Sequence, residues 1–185
     1  MDVYTIYNEL QQQQATTTWV PRSKLTVVLV GDLRHGRTVH SLARLLAKVT
    51  KGILWTDTLV LRYCAPPELG IPSNVQEYVR NECPEGVVQE HCETLSTEDT
   101  NVLYVTRIQK ERFASEAEYE KVKGSYVVDA ATMEKAPADM MVLHPLPRVD
   151  EIATEVDSDP RAAYFRQMEN GMYVRMALLS LILQD

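Results

Sequence analysis

The chain alternates short apolar runs with longer stretches in which apolar positions recur every three or four residues. Residues 25–30, LTVVLV, form an almost unbroken apolar run that ends at Gly31. A run without polar alternation suits a strand covered on both faces, as in a parallel sheet. Residues 38–48 then carry the helical period. The alternation continues with a strand at 59–64 stopped by Pro66 and Pro67, a helix at 74–81, and strands at 87–90 and 102–105. After these come a polar helix at 116–122, a short strand at 126–128 and another at 140–143. The last helix, 164–183, repeats apolar residues at Met168, Met172, Met176, Leu179 and Leu183, a stripe that reads as core or as a surface seeking a partner. An amphipathic start, MDVYTIYNEL, precedes the tract QQQQATTT, whose polarity reads as loop. This pattern predicts one α/β domain: a doubly wound parallel sheet with helices on both faces and ligands at the carboxyl ends of its strands.

Composition narrows the choices. A length of 185 residues is enough for one such domain and short for two. A formal charge of -7 without basic runs argues against nucleic acid or an anionic membrane surface as partner. The sequence offers neither a basic and apolar leader nor an apolar segment long enough for a membrane helix, so the expected location is cytoplasmic. Cys64, Cys83 and Cys92 are odd in number and lack C-x-x-C spacing, as expected of reduced thiols. A metal cluster of Cys83, His91 and Cys92 is disfavoured, because adjacent residues on a strand point to opposite faces.

The candidate chemistry lies in three segments. In GDLRHGRTVHS a strand meets a helix, and Arg34, His35, Arg37, Thr38 and His40 crowd a helix N-terminus, an anion-binding arrangement. From Gly31 to Thr38 the spacing is near that of a phosphate-binding loop, but Arg37 stands where G-x-x-x-x-G-K-[ST] requires lysine. The run 126–128, ending in Asp129, could serve as a magnesium-holding strand. A nucleotide-binding module therefore stays open as an alternative, although an arginine fork does not replace a lysine point charge. A dinucleotide fingerprint fails for want of G-x-G. In TRIQKERF, Arg107 and Gln109 stand just past a strand and can face the same way, whereas Lys110, Glu111 and Arg112 read equally well as solvated charges. In HPLPRVDEI, Pro145 and Pro147 stiffen the loop and remove two amide donors, which leaves carbonyl acceptors suited to an uncharged NH2 group. The Leu146–Pro147 bond is a candidate for the cis form, a plain strand-ending turn is the alternative for the loop, and His144 alone reads as structural.

Together, GDLRHGRTVHS, TRIQKERF and HPLPRVDEIATEVD resemble in order and spacing the L-aspartate-binding domain of the aspartate carbamoyltransferases. The ornithine carbamoyltransferases, the nearest enzymatic alternative, carry other signatures in place of TRIQKERF and HPLPR. SDPRAAYFRQMENGMYVRMALL further resembles the eukaryotic form, in which this domain belongs to a multifunctional polypeptide. The resemblance implies carbamoyl transfer from carbamoyl phosphate to L-aspartate in pyrimidine biosynthesis, by a homotrimer, with no cofactor and no metal. It implies that Arg37 and Arg107 grip the two carboxylates of L-aspartate, with Gln109 assisting. Arg34 stands where the family usually has lysine. The carbonyls of Pro145 and Leu146, beside Pro147, would accept from the carbamoyl NH2, and Glu118 and Tyr119 would belong to a closure loop.

By the same resemblance, residues 1–12 are a remnant of an interdomain helix, 13–24 a polar loop, 25–163 the aspartate-binding domain, and 164–185 a helix that packs on a carbamoyl-phosphate domain. The family's S-T-R-T segment and HPTQ histidine have no counterpart here. The expectation is therefore no catalytic residue in this chain and no turnover by it alone. Segments 11–23 and 49–60, which hold Trp19 and Trp55, do not match the family pattern.

Overall fold

The computed structural model describes residues 1–13, 22–50, 54, 56–82 and 85–183. Five strands form one all-parallel sheet: β1 (Arg22–Val30), β2 (Thr56–Cys64), β3 (Val87–Cys92), β4 (Val102–Val105) and β5 (Met141–Leu143). Their order is β3-β2-β1-β4-β5. The central strand explains its own sequence: Leu25, Val27, Val28, Leu29 and Val30 are wholly buried, so no position calls for a polar side chain. From β1 the chain winds outward through β2 to β3, then returns to the other side for β4 and β5. The carboxyl ends of β1 and β4 therefore flank the crevice where the winding reverses, the position at which such sheets bind ligands.

Both faces are covered. Helices α1 (Asp2–Gln13), α2 (Arg37–Val49) and α3 (Ser73–Glu82) supply Ile6, Leu10, Leu42, Leu46, Val75 and Val79 to a core with Leu25, Val27 and Leu29. On the opposite face Val28, Val30, Leu103 and Val105 pack with Val128, Met133, Ile152 and Val156. The remaining helices are α4 (Glu116–Val122), α5 (Ala130–Lys135) and α6 (Tyr164–Leu183). Helices α1 and α6 meet through a polar seam: Arg166 forks onto Glu9 at 2.7 Å twice, Asn170 donates to the Thr5 hydroxyl at 3.2 Å, and Gln167 donates to Asp2 at 3.1 Å. Beside this seam Gly171 packs against Met1, whose sulfur lies 2.2 Å from where a Cβ would stand.

Several expectations need correction. Residues 126–128 form no strand of the sheet; Val128 makes one isolated bridge to Ile152, while the outer side of β5 bonds to Arg161 and Ala163. Asp129 caps α5, accepting from the Thr132 amide at 2.9 Å and its hydroxyl at 2.8 Å, so it is occupied in a helix cap. The bounds 13–24 for a polar loop do not hold, since Gln13 ends α1 and 22–24 belong to β1, while residues 14–21 lie outside the described residues. Trp19 and Trp55 lie outside them too. The stripe on α6 is not core, since Met168, Met172, Met176, Leu179 and Leu183 are 50–75% exposed.

Candidate active site at the switch point

The two loops that leave β1 and β4 are built against each other. Gly31 has φ +114°, and a Cβ there would stand 2.1 Å from the Thr106 carbonyl oxygen, so only glycine permits this approach. Next to it, Asp32 is fully buried. Its carboxylate accepts the His35 amide at 3.0 Å, His35 Nδ1 at 3.1 Å and, across the crevice, the Gln109 amide at 3.4 Å. One carboxylate thus ties together the loops that carry Arg37 on one side and Arg107 and Gln109 on the other.

The loop then turns through Gly36, where a Cβ would meet the Asp32 carbonyl oxygen at 2.6 Å, and enters α2 at Arg37. No side chain caps this helix. Arg37 is exposed at its first position, where unpaired amides and the helix dipole favour an anion. Arg107, half-buried past β4, forks onto Glu111 at 3.3 and 2.5 Å, a contact that holds its guanidinium above its usual range. Any ligand carboxylate that takes Arg107 must share or displace Glu111.

Arg34 is exposed and reaches the Glu68 carbonyl at 3.4 Å. With His35, Glu68, Arg112, Phe113 and Glu118 it lines an open cleft of about 420 Å³. Tyr119 lies nearer the switch point, in a small hollow with Gly31, Thr106, Ile108 and Glu151. His35, Phe113 and Tyr119 form a file of edge-to-face rings, with centroids 6.2 and 5.7 Å apart. Arg37, Arg107, Gln109 and residues 145–147 line neither of these two hollows.

The HPLPR loop is arranged around a buried histidine. The Leu146 amide donates to His144 Nδ1 at 2.8 Å, which leaves Nε2 to carry the proton toward Glu151 at 2.7 Å. Burial pushes the Glu151 carboxyl up, but bonds from His144 and the amides of Val149 and of Glu151 itself outweigh it and hold the carboxyl below its usual range. With Pro145 and Pro147 lacking donors and the Leu146 amide taken, the backbone of residues 145–147 presents acceptors only. The Leu146–Pro147 bond is cis, as the sequence suggested, and Leu146 has φ +43°. The His144 amide donates to Gln167 at 2.9 Å and so anchors the loop to α6. Arg148 forks onto Asp157, with one bond of 2.6 Å, and meets the Tyr164 hydroxyl at 3.2 Å.

Asp32 and Glu151 escaped the sequence reading. Each acts through partners that pattern analysis does not supply, Gln109 lying 77 positions from Asp32. His91 and Cys92 do point to opposite faces: His91 is exposed beside Tyr63, and Cys92 packs on the second core. Among the described residues no group of three histidine, cysteine or acidic side chains could hold a metal ion. Among them, too, no helix is long and apolar enough to cross a membrane.

This architecture is that of a carbamoyltransferase substrate domain. The chain belongs to the aspartate/ornithine carbamoyltransferase family: residues 23–182 match the model for its Asp/Orn binding domain. Its relatives include multifunctional proteins and aspartate carbamoyltransferase catalytic subunits. It is 48% identical over 185 residues to multifunctional protein CAD of Squalus acanthias, covering 99% of this chain and 7% of that protein. It is 49% identical over 164 residues to the aspartate carbamoyltransferase catalytic subunit of Clostridium perfringens, covering 86% of this chain and 50% of the subunit. The aspartate transcarbamoylase of Trypanosoma cruzi, solved with carbamoyl phosphate and aspartate, superposes with a TM-score of 0.80 at 40% identity, over 96% of this chain and 53% of that one. The chain thus spans about half the length of a catalytic subunit and under a tenth of the multifunctional protein.

Proposed function

We propose that this chain supplies the L-aspartate-binding half of an aspartate carbamoyltransferase, which forms N-carbamoyl-L-aspartate and phosphate from carbamoyl phosphate and L-aspartate for pyrimidine biosynthesis. The observation that carries the reading is that the loops after β1 and β4, which lead to Arg37 and Arg107, are joined at the switch point by the buried Asp32. A dicarboxylate calls for two clamps, and guanidinium forks meet carboxylates with paired, charge-assisted bonds. Gln109 lies beside the second clamp, and Arg34 adds positive charge at the rim.

In this reading the α-amine of L-aspartate attacks the carbamoyl carbon, a tetrahedral intermediate forms, and phosphate leaves. This chain contributes position rather than proton transfer. It holds both carboxylates so that the amine faces the carbamoyl group, and the carbonyls of Pro145 and Leu146, beside Pro147, hold the carbamoyl NH2. Holding two reactants in contact removes much of the entropic barrier. Closure at Glu118 and Tyr119 would exclude water. The carbamoyl-phosphate site would come from a second domain, to which α1 and α6 (residues 1–12 and 164–185) form the junction, within a homotrimer or a multifunctional polypeptide of the cytoplasm. No cofactor is invoked.

Thermal unfolding with L-aspartate, with N-(phosphonacetyl)-L-aspartate and with magnesium ATP, beside an assay for carbamoyl aspartate, tests this. A rise with aspartate or the bisubstrate analogue, without product, supports a half-site. A rise with ATP alone would overturn it in favour of a nucleotide module, and product from the isolated chain would refute the division of labour. The identities of Asp129 and Arg37 already weigh against the nucleotide alternative, since the one caps a helix and the other replaces the required lysine.

A further inference from the structure

At the carboxyl ends of β2 and β3 two cysteines are direct partners. Cys64 ends β2 and Cys92 ends β3, and the two are paired in register in the parallel ladder. Residues in register share a face, and both pack into the same second core cluster. Neighbouring strands run about 4.8 Å apart, within the roughly 4.4–6.8 Å that separates the Cα atoms of disulfide-bonded cysteines. The two thiols differ in access. Cys64 is wholly buried, whereas Cys92 is half-exposed and lines an open groove of about 310 Å³ with Pro66, Gly70, His91 and Glu93.

We propose that Cys64 and Cys92 form an oxidisable pair that closes to a disulfide when hydrogen peroxide reaches Cys92 through this groove. In the first step the Cys92 sulfur attacks one peroxide oxygen, the O–O bond breaks, water leaves, and Cys92 becomes a sulfenic acid. In the second, the Cys64 sulfur attacks the Cys92 sulfur, the S–S bond forms, and the sulfenic oxygen departs as water with the Cys64 proton. Both sulfurs are oxidised, and one peroxide is reduced to two waters. The order follows from the surroundings: burial and the neighbouring Cys92 push the Cys64 thiol up to about 12, so Cys64 is not the first to react.

The pair is placed to be felt at the switch point. The Cys64 carbonyl accepts the Gly31 amide at 3.2 Å, and the Cys92 carbonyl accepts the Ala65 amide at 3.1 Å. A cross-link would fix the ends of β2 and β3 at the start of the loop whose Glu68 carbonyl holds Arg34.

The test uses the full chain carrying Cys83→Ser, so that a cross-link between the tryptic peptides holding residues 64 and 92 has one meaning. After stoichiometric hydrogen peroxide and alkylation under denaturing conditions, mass spectrometry should find those peptides linked, the link should vanish with dithiothreitol, and adding Cys92→Ser should abolish it. Both cysteines recovered alkylated after peroxide, or Cys92 recovered as sulfinic acid beside an alkylated Cys64, would overturn the proposal.

Discussion

Replacing Asp32 with alanine removes a buried side chain that joins the two arginine-bearing loops, and its cost can be worked out bond by bond. Hydrogen bonds to a charged group contribute about 1.5–3 kcal/mol each. The His35 amide, at 3.0 Å from a buried carboxylate, counts in full. The His35 ring, at 3.1 Å, counts about half, because the side chain is 26% exposed and water can replace the bond. The Gln109 amide, at 3.4 Å, adds little energy although it spans the crevice. The sum is about 3 kcal/mol, which for a domain of this size lowers the thermal midpoint by roughly 6–12 °C. Asp32→Asn keeps the shape and one acceptor and should lose about half as much. Urea titrations give the free energies, provided that the slopes stay equal among variants. An alanine variant within about 0.5 kcal/mol of the parent, the range of neutral surface changes, would refute the idea that Asp32 holds the loop after β1 in place.

The other predictions concern neighbouring features. Arg107→Lys retains charge but loses the fork, so the thermal shift produced by L-aspartate should shrink as affinity falls about 10- to 100-fold, while stability without ligand changes little because the Glu111 pair is exposed; an undiminished shift would remove Arg107 from the site. Gly31→Ala, with its Cβ 2.1 Å from a backbone oxygen and φ +114°, should cost about 3 kcal/mol or more, and a parental urea midpoint would contradict the close approach. The folded state holds the Glu151 carboxyl below its usual 4.5, so Glu151 adds stability above that pH which is lost as pH falls through the folded value. Glu151→Gln should accordingly flatten the acid limb of the stability curve below about pH 4.5, as read by urea midpoints over a pH series; an unchanged limb would exclude the His144–Glu151 contact as its source.

The parts of the fold legible in the sequence were those with a sustained local pattern of apolar and polar residues. Strand β4 and helices α4 and α6 begin and end where their patterns predict, β4 because a fully buried strand is a continuous apolar run and α6 because a long helix sustains its period. Residues 126–128 misled because three apolar residues look like a short strand, while whether they join a sheet depends on β5, whose free side is taken by 161–163. Helix α5 went unread although Asp129 and Thr132 spell an N-cap, since six residues sustain no periodicity. The arginines of the candidate site were visible by their places after strands. Asp32, Glu151 and the clasp of Glu111 on Arg107 were not, because what matters in each is a contact rather than a residue type.

The polar seam between α1 and α6 bears on how the chain reaches this fold. Glu9 finds Arg166 157 positions away, and Thr5 finds Asn170 165 positions away. Closing so long a loop delays contact formation, since the entropy is lost before the contact is gained. The polar pairs of this seam should therefore be among the last contacts to form. Since His144 is anchored through Gln167, and Gln167 also holds Asp2, the acceptor loop and both ends of the described chain should lock in one late step.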